Sequence, residues 1–141
     1  MKHNPLFFLC LVEWIVFDDA KNEFAFFGIQ YDFDGAEAFC NGIGGSLMEP
    51  RDNATMINVT NHAMSVGITK FWLGIHDKNL DGSFVYASDN LTIDWTNWAH
   101  GQPGNNSTGE NCVQVIDNGK WSVSSCEGNE RSLICMRGSN C

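Results

Sequence analysis

The apolar positions of the chain fall into short runs separated by stretches rich in Asp, Asn, Ser and Gly, and the period within each run sets the element it predicts. Phe24-Ala-Phe-Phe27 is an aromatic run closed by Gly28, a composition that suits a pleated strand. The period then lengthens. Asp34 with Glu37 three residues on reads as a helix start, because acids at that spacing satisfy orphan amides and suit the positive end of the helix dipole. Ala36, Phe39 and Cys40 fall on one face of this helix, and Gly42, Gly44 and Gly45 stop it. Residues 46–50 read as a bend, since the residue before Pro50 is driven out of helical angles. A second helix is expected from Asp52 to Gly67, with Ile57, Ala63 and Met64 as its apolar stripe. Phe71-Trp-Leu-Gly-Ile75 is apolar throughout, as a strand covered on both faces should be.

From Ile75 to Glu110 the chain is polar, broken by Phe84-Val-Tyr-Ala87 as a short strand. A connection this long is functional or disordered. Trp95 and Trp98 argue for order, with an apolar cluster beneath the loop. Val113-Gln-Val-Ile116 and Lys120-Trp-Ser-Val123 flank Asp117-Asn118-Gly119, a hairpin signal because Asn-Gly supplies the positive φ angles that tight hairpin turns need. Cys112 and Cys126 stand at the far ends of that hairpin, within bridging reach once the strands pair. Arg131-Ser-Leu-Ile-Cys-Met136 is the closing strand.

With 141 residues, 43% of them hydrophobic and 18% charged, the chain has the size and balance of one domain around one core. Lys and Arg number 8 against 17 Asp and Glu, a net charge of -9, which repels nucleic acid and favours a cation or a neutral ligand. The six cysteines form no close pair of the zinc-site kind. Asn-x-Ser/Thr triplets at Asn53, Asn58, Asn90, Asn105 and Asn106 point to a secreted glycoprotein. Met1-Lys-His followed by Leu6-Phe-Phe-Leu-Cys-Leu-Val reads as a signal peptide over residues 1–20, leaving 21–141 as the domain; Glu13 interrupts its apolar middle, which is too short to span a bilayer. His3, His62, His76 and His100 are scattered among polar residues, and no nucleophile, base and orienter stand in a recognisable pattern. The expectation is a binding protein rather than an enzyme.

The hairpin and the loop before it resemble the C-type lectin domain family. Gln102-Pro103-Gly104, Glu110 just before Asn111-Cys112, and Trp121-Ser122-Val123 stand where sugar-binding members carry Glu-Pro-Asn or Gln-Pro-Asp, a glutamate and Trp-Asn-Asp. Phe71-Trp-Leu-Gly-Ile75 is similar to the family's Trp-Ile-Gly-Leu core strand, and the likeness covers residues 24–136. It implies an α+β fold in which two helices flank a curled antiparallel sheet with a long ligand-binding loop. It also implies two disulfides, Cys40 with Cys135 and Cys112 with Cys126. Cys141 is then a free thiol or links a dimer if the leader is cut, and a Cys10 to Cys141 bond opens if it stays.

The same likeness implies a ligand set. At the family's sugar-linked calcium position this chain has Gln102, Gly104, Glu110, Ser122 and Val123, of which Gly104 and Val123 carry no side-chain oxygen. Calcium needs six to eight oxygens, so this position is degenerate, with Gln102, Glu110 and Ser122 left as ligand-contacting candidates. The auxiliary calcium position maps onto Asp77, Asp81, Asn105, Glu110 and Asn111, whose carboxylates would repel one another unless a cation relieved them, and predicts weak calcium. The expected function is a secreted carbohydrate-binding protein of surface defence, its partner a carbohydrate or glycoprotein. The competing readings are a calcium-independent protein-binding module and, more remotely, an ice-binding surface.

Overall fold

The computed structural model describes residues 12–17, 21–104 and 111–138. Asn105, Glu110, Asn106, Cys10 and Cys141, named above, lie outside the described residues. In chain order the elements are β1 (Ile15–Val16), β2 (Asn22–Tyr31), α1 (Phe33–Gly42), β3 (Ser46–Leu47), α2 (Asn53–Ser65), β4 (Phe71–Asp77), β5 (Val85–Tyr86), β6 (Asn111–Asp117), β7 (Lys120–Ser124) and β8 (Arg131–Gly138). The sheet runs β1-β2-β8-β4-β6-β7, with β3 on β8 and β5 on β4. Its ladders are antiparallel except β4 with β8, which is parallel.

The uniform hydrophobicity of β4 has the reason its sequence predicts. Phe71, Leu73 and Ile75 enter the core under α2, with Met56, Val59, Ala63, Val113, Val115 and Ile134. Trp72, one residue out of phase, enters the second core under α1, with Phe33, Ala36 and both disulfides. Alternate side chains point to opposite faces, so a strand between two layers has no polar face. The disulfides join Cys40 to Cys135 and Cys112 to Cys126. The first links residues 95 apart in sequence. In the loop-entropy model a link of that span stabilises the fold by roughly 4 to 5 kcal/mol.

Three local expectations shift. Asp32, not Asp34, caps α1: its side chain accepts from the Gly35 amide at 2.9 Å, and Phe33 opens the helix and plugs the core. The bend at 46–50 contains the two-residue strand β3, paired with Met136 and Cys135 of β8. On α2, capped by Asp52 as expected, the buried face is Met56, Val59, Thr60 and Ala63. Ile57 and Met64 lie on the neighbouring flank, each 49% exposed. Helix and sheet meet along the column nearest the hairpin, and adjacent apolar columns look alike in sequence.

The hairpin closes as predicted. Asn118 and Gly119 take φ of 47° and 81°, the left-handed pair of a tight turn, and Val113 faces Val123 across the ladder. A side chain at Gly119 would come within 2.9 Å of the Thr60 hydroxyl, so the turn seats directly on α2.

Candidate functional site

Asp77 ends β4 and is buried, and each of its carboxylate oxygens accepts one backbone amide. Oδ1 accepts from the Asp81 amide at 3.2 Å and Oδ2 from the Gly82 amide at 2.9 Å, closing the turn in which Leu80 and Gly82 take positive φ. The Asp81 carboxylate accepts from the Ser83 amide at 2.9 Å. That amide, and then the neighbouring Asp77 side chain, hold its carboxyl below the usual range. Across the ladder Asn111 faces Asp77, and its buried Oδ1 has no partner among the described residues. Three of the five residues of the predicted auxiliary set are therefore together.

The predicted sugar-linked residues lie beside them. The Gln102–Pro103 peptide is cis. Gln102 Oε1 accepts from the Val123 amide at 3.0 Å, so this side chain ties the loop to β7, and the Ser122 hydroxyl donates to the Val123 carbonyl at 3.3 Å. Upstream, the Trp121 amide donates to the Asn97 carbonyl, and the Ala99 amide to the Trp121 carbonyl. Trp95 and Trp98 each pack edge-on to Trp121 at 5.5 Å, the apolar cluster that their spacing predicts. The same bonds occupy the outer edge of β7, which would otherwise offer unpaired backbone groups to another strand.

The two sets converge. Asp77, Gly82 and Phe84 from the turn, and Pro103, Gly104 and Val123 from the loop and β7, line one cleft of about 300 Å³ together with Asn111. At the sugar-linked position the residues do not fit calcium: Gly104 and Val123 bring no side-chain oxygen, and that of Gln102 already holds an amide. The auxiliary position fits better, because an orphaned amide oxygen in register with a buried carboxylate is a donor set that a hard cation would complete. Among the described residues no group of three or more His, Cys, Asp or Glu side chains is placed to hold a metal.

One cluster was not legible in the sequence. Glu49 is buried, and its carboxylate accepts from the Ser88 amide at 3.1 Å, the Ser88 hydroxyl at 2.9 Å and Arg51 at 3.4 Å. Burial pushes its carboxyl above the usual range, against those hydrogen bonds. The Arg51 guanidinium lies 3.8 Å over the Tyr86 ring, and the Tyr86 hydroxyl donates to Asp94 at 2.7 Å. The cluster pins the long loop at Ser88 to the segment entering α2, between the two stretches of the loop that line the cleft.

The lectin C-type domain model matches residues 29–137 of the chain. The chain is 32% identical over 92 residues to Collectin-11 of Danio rerio, covering 65% of this chain and 34% of that protein. It spans about a third of the length of the curated relatives it matches. The mouse scavenger receptor C-type lectin carbohydrate-recognition domain superposes with a TM-score of 0.81 at 23% identity, covering 94% of this chain and 98% of that one, a likeness of fold. The cow CD23 carbohydrate-recognition domain, solved in the presence of a GlcNAc2Man3 oligosaccharide, gives a TM-score of 0.79 at 27% identity, covering 91% and 95%.

Proposed function

The chain belongs to the C-type lectin domain family, and from that premise we propose that it is an extracellular carbohydrate-recognition module whose ligand face is the cleft between the turn after β4 and the loop before β6. The observation that carries this reading is the convergence of two sequence-distant sets, Asp77 with Asn111 and Pro103-Gly104 with Val123, on one cleft, beside which Gln102 holds the Val123 amide. The ligand is a carbohydrate or the sugar of a glycoprotein, met by Gln102, Ser122 and, from the sequence, Glu110. Neutral amides and hydroxyls suit sugar hydroxyls, which need donors and acceptors rather than charge. Two disulfides support an extracellular setting, because such bonds persist in oxidising compartments.

Calcium in this reading is a weak auxiliary ligand. Asp77, Asp81 and Asn111 would hold it, with Asn105 and Glu110 from the sequence. Once bound it would neutralise the carboxylates and stiffen the cleft. The chain's own side chains carry recognition: Asp77 sets the turn, Gln102 fixes the loop against β7, and Asn111 brings an oxygen that has no partner among the described residues.

A calcium-independent protein-binding module is the second reading, favoured by one observation: the Gln102 oxygen that would face a sugar-linked cation is turned to the Val123 amide. A glycan array probed with and without chelator separates the two. Binding to any glycan supports the lectin reading, and its sensitivity to chelator reports the contribution of calcium. Silence in both conditions from folded protein would overturn it in favour of a protein partner.

A further inference from the structure

We propose that Asn53 carries an N-linked glycan whose first sugars lie along a groove on the outer flank of α2, away from the ligand cleft. Asn53, Ile57, Asn61 and Met64 recur at helical spacing along this flank, and the groove of about 230 Å³ that they edge is closed on its other side by Asn97, Asn118 and Lys120. Ile57 and Met64 are each 49% exposed, an apolar strip that the fold itself leaves in water. Asn53-Ala54-Thr55 is an acceptor triplet, and Asn53 is exposed in the first helical turn at one end of the strip.

The chemistry of the groove matches that occupant. A pyranose has one apolar C–H face and a rim of hydroxyls, and N-acetylglucosamine adds an acetyl methyl and an amide. The strip of Ile57 and Met64 suits the face and the methyl, while the amides of Asn61 and Asn118 suit the rim. Among the described residues the one charged group along the groove, Lys120, donates to the Asn97 side-chain oxygen Oδ1 at 3.2 Å and stands at the groove's far side from the strip. With 1.5 Å of rise per residue, Ile57 stands about 6 Å and Met64 about 16 Å along the helix from Asn53, within reach of the first few sugars. The neighbouring triplet at Asn58 lacks this opening, since Asn58 is half-buried and its Thr60 is in the core.

The inference rests on the extracellular reading only in that the chain must pass through a glycosylating compartment, and Asn90, exposed at a turn with φ of 61°, is the control for that passage. Protein secreted from eukaryotic cells is mapped by glycopeptide mass spectrometry. Peroxide oxidation of Met64 is then followed against the buried Met48 and Met56, in the glycosylated protein and in Asn53→Gln and Thr55→Ala variants. We expect Asn53 to be occupied and Met64 to oxidise roughly three-fold more slowly in the glycosylated protein. Occupancy at Asn90 with none at Asn53, or a secreted chain bare at every triplet, overturns this inference alone, whereas a chain retained inside the cells and bare at every triplet overturns the extracellular reading with it. Equal Met64 rates, or a rate that falls only as protein concentration rises and so assigns the groove to a second copy, would overturn the seating of the sugars.

Discussion

Asp77 shows how one side chain can serve fold and site together. Its two oxygens hold the amides of Asp81 and Gly82, so the turn that presents the cleft depends on a buried acceptor. Asp77→Ala should lower stability by about 2 kcal/mol, the usual cost of stranding donors near the interior. Asp77→Asn keeps one acceptor oxygen and should fold, yet its calorimetric calcium heat should fall to the level seen with chelator; undiminished heat would remove Asp77 from the cation set. Glu49 makes the opposite case. Its carboxyl is raised in the folded protein, so its contribution to stability is greatest below the ordinary carboxylate pKa and is lost as pH rises through the raised value. Gln at this position keeps an acceptor for Ser88 without the buried charge. Melting curves between about pH 4 and pH 7 should therefore decline less with pH in Glu49→Gln than in the parent, and parallel curves would refute the assignment. Asp77 and Asp81 were legible as acids in a polar loop. Glu49 was not, because its partner Ser88 lies 39 residues on and nothing local marks either residue.

Among the elements, β1, like β3, is one that the sequence hid. Ile15 pairs with Phe24 and Val16 with Glu23, inside the stretch that the leader reading takes in. Trp14 lies beneath the Arg137 guanidinium at 4.0 Å, and Arg137 pairs with Glu23 at 3.0 Å. Gly45 allows the indole in, since a side chain there would meet the Trp14 ring at 3.2 Å and the Met136 carbonyl at 2.7 Å. Phe17 stacks on Phe24 at 5.7 Å. An apolar run that serves as the middle of a leader and one that pairs as an edge strand look alike, and only the partner strand tells them apart. We propose that any cleavage falls upstream of Val12 rather than after residue 20, and expect Trp14→Ala to cost about 2 kcal/mol, less than a fully buried tryptophan because Trp14 is half-buried. N-terminal sequencing of secreted protein and chemical denaturation of the variant check the two statements. A mature chain beginning at Lys21 with full stability would contradict both. The hairpin of β6 and β7 was legible because Asn118-Gly119 states its own turn. The buried column of α2 was not, because the sheet rather than the helix selects it.

At the scale of the whole molecule, the main helices and strands and the two-faced burial of β4 could be read from local period, while the fold family was implied by the likeness of the motifs around Cys112 and Trp121. The cleft could be read only in part. Its candidates were named by likeness, but the direction in which Gln102 points depends on the pairing of β7 with the long loop, fixed by Trp98 bridging to Trp121 across 23 residues. The net charge of -9 adds a surface that would draw cations towards the cleft whether or not they bind tightly there. We propose that backbone and side chains separate in this protein: Trp121 lies buried beneath the loop, while Gly104 and Val123 bring no side-chain oxygen to the sugar-linked position that the likeness implies. The most direct measurement is calorimetric titration of calcium, with a mannose-type sugar present, into a variant carrying Gln102→Glu, Gly104→Asn, Ser122→Asn and Val123→Asp. A frame that lacks only donors should yield calcium binding and calcium-dependent sugar binding absent from the parent chain. A folded variant that takes up neither would show that the loop backbone itself differs from that of the sugar-binding relatives.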